Sequence, residues 1–264
     1  MRTHARRVAL SLAVASTMVF GGIALAAPDG NTSSLQGSGI KPTTLPKTTY
    51  KNAALIVHTH TTYAHPASTT QGGFVDRTQL YFDNDGKINA TGVPRCDRSK
   101  ITGNITMKQA MAACGTAKVG AGTAGALLGT STVHGCALVF NGKPNAQNQP
   151  TDLIFTRFNV TVGGTINCAN PATNQNGNAS VLLDGTVKPN PTSLGPDFTG
   201  GKMLDIPNIP RTLPLSDYNV TTQRGNYIQS RCNDANKILN IKGKFTYSDG
   251  QSDTVGASTA CTVG

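Results

Sequence analysis

At 264 residues and 38% hydrophobic content, the chain can bury one substantial core, and 23 Lys and Arg against 13 acidic residues give it a formal charge of +10. It contains neither Glu nor Trp, which excludes catalysis by a glutamate pair and sugar stacking on indole rings, and its basic residues form no dense run interleaved with aromatics, which sets nucleic acid aside. Gly, Thr, Asn, Ser and Val dominate, strong helix formers are scarce and every acidic residue is Asp, so the expected class is all-β: an antiparallel β-sandwich, Ig-like or jelly-roll-like, with one short helix near residues 106–114 and disulfide bracing.

Arg2, Arg6 and Arg7 precede an apolar run from Val8 to Leu25 that closes on Ala24-Leu25-Ala26. This pattern predicts a signal peptide over residues 1–26, cleaved before Ala27 on the general secretory route. Gly21-Gly22 interrupts the run and nothing basic stops its transfer, so no transmembrane helix is expected after cleavage. Cleavage leaves 20 basic and 13 acidic residues, a diffuse charge of +7. Residues 27–49 mix Pro, Gly, Ser, Thr, Asn and Lys without periodicity and read as a flexible linker. The folded body is placed at residues 50–264, as one large sandwich or two small ones dividing near residues 142–151.

The body opens with a strand from Ala53 to Tyr63. Gln79-Leu80-Tyr81-Phe82 then leads through Asp85-Gly86 into Lys87-Ile88-Asn89-Ala90, which reads as a hairpin. Thr106 and Gln109 have capping-box spacing at the start of the helix, and Gly115 is expected in the left-handed position at its end. Further strands are predicted over residues 117–127, 132–140, 153–162, 180–188 and 219–223. Leu239, Ile241, Phe245 and Tyr247 alternate with Asn240, Lys242, Lys244 and Thr246, an amphipathic strand that Asp249-Gly250 turns back.

Six cysteines in an exported chain read as a disulfide framework, for which fifteen complete pairings exist. Sequential pairing is expected: Cys96 with Cys114, Cys136 with Cys168, Cys232 with Cys261. No Cys-x-x-Cys pair supports zinc.

The segments Gly92-Val93-Pro94-Arg95-Cys96-Asp97, Ala113-Cys114-Gly115-Thr116-Ala117-Lys118-Val119-Gly120-Ala121-Gly122-Thr123-Ala124 and Phe140-Asn141-Gly142, followed by Ser230-Arg231-Cys232, Phe245-Thr246-Tyr247-Ser248-Asp249-Gly250 and Cys261, carry a resemblance. Over most of residues 75–264 the chain resembles a group of exported, uncharacterised proteins of high-GC Gram-positive bacteria. The resemblance implies export and a β-rich body with terminal cysteines; it brings no activity, cofactor or catalytic residue. Cys136 and Cys168 are extra to the group's pattern, which supports their pairing with each other.

Three patterns are weighed for chemistry. Gly120-Ala121-Gly122-Thr123-Ala124-Gly125 has dinucleotide-fingerprint spacing but follows a helix and a cysteine, with no acidic residue some twenty positions on, so a bulged or closely packed strand is expected. Asp83-Asn84-Asp85-Gly86 resembles half a calcium loop, yet Tyr81 and Gly92 occupy the terminal ligand positions, which leaves a hydrogen-bonded turn. Alternation places His58 and His60 on one strand face, where His65 and Asp76 are candidates to complete a metal site.

A hydrolase would use His58, His60, His65 or His134 as base, with no nucleophile motif beside any of them. Tyr50, Tyr63, Tyr81, Tyr218 and Tyr227 remain as stacking candidates. The expected function is that of a secreted or cell-wall-associated, non-catalytic protein without cofactor that binds anionic envelope polymers. The alternative is a secreted hydrolase or a metal-binding protein using His58, His60 and His65.

Overall fold

A computed structural model of the protein describes residues 30–66, 73–161, 166–169, 177–233 and 237–264; the signal peptide over residues 1–26 and its cleavage point lie outside them. In chain order the strands are β1 (Thr32–Leu35), β2 (Gly39–Lys41), β3 (Thr44–Leu45), β4 (Lys51–Asn52), β5 (Ala54–Thr62), β6 (Val75–Phe82), β7 (Gly86–Ile88), β8 (Lys118–Leu128) and β9 (Ser131–Asn141). They continue as β10 (Thr151–Asn159), β11 (Ala179–Pro189), β12 (Lys202–Ile206), β13 (Leu215–Thr222), β14 (Ile228–Ser230), β15 (Ile238–Tyr247), β16 (Ser252–Ala260) and β17 (Thr262–Val263). Among the described residues one α-helix, α1 (Met107–Cys114), starts at Thr106 with both bonds of the capping box in place. Gly115 is right-handed at φ −57° and leads into a further 3-10 turn, so the left-handed ending expected for it does not form.

The sheet runs β1-β5-β13-β8-β9-β10-β11-β12-β6-β15-β16, every neighbour antiparallel, with β2 also on the free edge of β5. This nearly closed sheet is a barrel more than a sandwich. Its two ends meet at Ser33 of β1: the Ser33 amide donates to the Asp253 carboxylate of β16 at 3.0 Å, and the Ser33 hydroxyl lies 2.8 Å from the Tyr247 hydroxyl of β15. Alternation of apolar and polar residues is common to both architectures, because it fixes only which face is buried; the choice of neighbours makes the barrel. The division near residues 142–151 is likewise replaced by one continuous sheet, since β9 and β10 pair directly across that segment.

Residues 32–45, read as part of a flexible linker, contribute three strands instead. Asn31, Ser33, Leu35, Ile40 and Leu45 are all buried. A bulge at Gln36 to Ser38 hides their periodicity: Gly37 takes φ +58°, and the Ser38 hydroxyl stands in for backbone by accepting from the His58 amide and donating to the His58 carbonyl. The Asp85-Gly86 hairpin is also corrected. β6 stays in the barrel while β7 pairs with β14 in a small separate sheet, β4-β14-β7.

Leu55, Val57, Leu80, Ile154, Val220 and Phe245 line an apolar interior around a cavity of about 80 Å³. On the outside of β9 and β10, Leu138, Phe140, Leu153 and Phe155 form a second core under Ile101, Met107 and Ala110, clamped by Cys96–Cys114. Cys136–Cys168 and Cys232–Cys261 complete the sequential pairing. Each bridge stabilises by about 3 kcal/mol through chain entropy. Among the described residues no helix is long and apolar enough to cross a membrane.

Candidate functional site

Because Leu55, Val57, Thr59 and Thr61 face the interior, β5 carries His58, His60 and Thr62 on the outer wall. Their partner is Asp217 of β13, directly opposite His60 and next to a register shift at Leu215/Asp217. The Asp217 carboxylate lies 2.9 Å from His58 Nε2 and 3.5 Å from His60 Nδ1, and His60 Nε2 lies 3.5 Å from the Thr62 hydroxyl.

Carboxylate, imidazole and hydroxyl thus stand in the order of a nucleophile relay. Both 3.5 Å spacings are at the outer limit of hydrogen bonding, however, and Thr62 is exposed where nothing excludes water.

The other residues named for this chemistry fall elsewhere. His65 sits exposed in the turn after β5, and Asp76 is on β6, 3.4 Å from Arg211. His134 is exposed on β9 beside Gly125, which separates it from Asp217 across a groove. Among the described residues no three His, Cys or Asp side chains are arranged to hold a metal ion. Asp217 itself carries no signal in the chain, since 159 residues separate it from His58 and only the β5–β13 register joins them.

A different region of the outer wall is basic. Asp205 of β12 is buried; Arg77 of β6 grips it with two bonds, at 2.7 and 2.8 Å, and Lys188 of β11 donates to it at 2.6 Å. Burial pushes the Asp205 carboxyl up, but the hydrogen bonds from Arg77 and Lys188 outweigh it and hold it below the ordinary carboxylate value. Next to Arg77's strand, β15 carries Lys242 and Lys244 on the same outer face. Lys242 lies 4.5 Å from the centre of the Phe198 ring. Among the described residues neither lysine is in an ion pair with a carboxylate.

Of the five tyrosines named for stacking, Tyr63, Tyr81 and Tyr227 are buried and Tyr218 lines the interior. Tyr50 alone of these is exposed, and its ring is covered by Arg231 and Lys87 at 5.1 and 5.6 Å.

The glycine-rich run is a strand, as expected: a Cβ on Gly120 would stand 2.9 Å from the Thr221 carbonyl oxygen of the neighbouring β13, and the register shifts at Lys118/Gly120. In the Asp83-Asp85 loop the carboxylates are held by the protein itself. Asp83 accepts from the amides of Asp85 and Asn240, and Asp85 from Arg231 Nε at 2.8 Å. Burial pushes Asp83 up to about 7.

Comparison with protein-family models, with curated proteins and with solved structures finds no match.

Proposed function

We propose that this is an exported, non-catalytic protein whose basic wall binds anionic polymers of the cell envelope. The observation that carries the reading is the placement of Arg77, Lys188, Lys242 and Lys244 on one outward face of the neighbouring strands β11, β12, β6 and β15, where Asp205 is paired with Arg77 and Lys188 alone of the four. Lys242 and Lys244 project from one strand face about 7 Å apart, a spacing at which a repeating polyanion meets successive cations. Three disulfides suit an oxidising compartment.

Co-sedimentation of the secreted protein with isolated anionic wall polymer tests this. Binding should fall steeply between 50 and 300 mM salt, values chosen to shorten the Debye length from about 14 to about 6 Å, and the double substitution K242A/K244A should weaken it about tenfold. Binding that ignores both salt and the double substitution would overturn the reading.

A second reading rests on the Asp217–His60–Thr62 alignment, which supports a hydrolase with His60 as base and Thr62 as nucleophile. An ester or amide substrate turned over by the native protein and not by H60A or T62V would establish it. Turnover that survives both substitutions would dismiss it.

A further inference from the structure

The inner wall of the barrel is apolar except at a few points, and the chemistry there is independent of the outer basic wall. Asp152 of β10 faces inward and is buried with a single hydrogen-bonding partner among the described residues, the Tyr227 hydroxyl, which donates to it from the segment entering β14. Among the described residues no cation is paired with it. Tyr218 of β13 also lines the cavity, and its buried hydroxyl has no hydrogen-bonding partner among the described residues.

Two features make this more than an ordinary core. A buried carboxylate without a cation and a buried hydroxyl without a partner are each costly, the charge more so than the hydroxyl. A fold that only needed packing would place Asn or Leu at 152 and Phe at 218. The two groups also sense each other: Tyr218 is pushed well up by burial and then by the Asp152 charge. Between them lies a cavity of about 80 Å³, walled by Leu55, Val57, Ile154 and Val220.

From this geometry we infer that the barrel interior is a binding site for a small primary amine, with its ammonium between Asp152 and Tyr218 and its alkyl part against the aliphatic wall. An ammonium has three N–H donors and no acceptor. It therefore suits a carboxylate and a phenol oxygen, and brings the missing positive charge into a region of low dielectric where the pair is strongest. An anion would face Asp152 with like charge. A dry cavity of about 150 Å³ accommodates benzene, so the space here fits a chain of about three or four heavy atoms.

Titration of the disulfide-bonded protein with n-propylammonium, n-propanol and propionate, read by amide NMR shifts, tests the inference. The ammonium should give saturable shifts at β10, β13 and the Tyr227 segment, propanol weaker ones and propionate none. Asp152→Asn should abolish the preference for amine over alcohol, and Tyr218→Phe should weaken amine binding about tenfold. The Asn variant removes a buried charge while keeping shape, so it retains the fold even if Tyr218→Phe does not. Equal response to all three probes, shifts confined to the outer wall, or ordered water in the cavity that the amine does not displace would each overturn the inference.

Discussion

The inner and outer walls of this barrel treat the same residue type in opposite ways. Inside, Asp152 and Asp253 accept hydrogen bonds from the phenols Tyr227 and Tyr247. Outside, Asp205, Asp184 and Asp97 are paired with Arg77, Lys188, Arg98 and Lys143. A phenol brings its hydrogen bond with a large apolar body and no charge of its own, which suits a closed interior; long cationic chains need water for their heads and are confined to the outer surface. The wall polarity is thus apolar within and charged without, the reverse of a membrane-spanning barrel.

The largest expected effect separates the walls by packing. Phe245, fully enclosed on the inner face of β15, should cost 3–5 kcal/mol, to order of magnitude, when replaced by Ala, because a cavity is left behind. Lys244, its outward neighbour on the same strand, should cost less than about 0.5 kcal/mol. Denaturant unfolding of both variants checks the contrast.

The next effect concerns charge inside. Burial pushes Asp152 up to about 6 from an ordinary 3.8, an effect that Tyr227's hydrogen bond only partly offsets. The folded chain therefore holds a proton that the unfolded chain releases between these values, and the stability associated with that proton is present below pH 3.8 and lost as pH rises through 6. Asp83, at about 7, acts in the same direction. Asp205 has the opposite sign, losing its contribution as pH falls through its lowered value. Thermal stability should therefore peak in the acidic range and decline towards pH 7. Asp152→Asn should flatten that decline and stabilise the protein at pH 7 by up to about 3 kcal/mol. A melting temperature that rises from pH 5 to pH 7 in the native protein would contradict this.

Outside, Asp205→Asn should cost about 2 kcal/mol, since Arg77 and Lys188 lose the anionic charge and one of the two acceptor oxygens, and should increase affinity for a polyanion while lowering stability. Smallest of all, His58→Ala should change stability by under about 1 kcal/mol, as expected of a partly exposed pair. A larger loss would show that the His58–Asp217 contact fastens β5 to β13.

Local patterns were legible wherever one stretch of chain contained the whole signal. β15 alternates buried and half-buried positions over its length, and Asp249-Gly250 turns it into β16 with Gly250 at φ +89°. Thr106 and Gln109 close the capping box from within four residues. β1 and β2 were not legible, because Gly37 and the bulge break their alternation and the buried Ser33 hydroxyl finds its partners in Thr61 and Tyr247, 28 and 214 residues away. The loop of Asp83 to Gly86 contains a tight turn, as its composition predicts, yet separates two sheets instead of joining one hairpin.

By itself the sequence determined the β class, the inward and outward faces of β15, the shared face of His58 and His60, the capped helix and an even set of cysteines, most of which follow from side-chain periodicity and backbone preference over a few residues. Only the tertiary structure decided that the sheet nearly closes, that Asp217 rather than Asp76 meets the histidines, and that Asp152, Tyr218 and Tyr227 converge in the interior. Those outcomes depend on which strands become neighbours, a choice made by the summed packing of the whole sheet and written in no single segment.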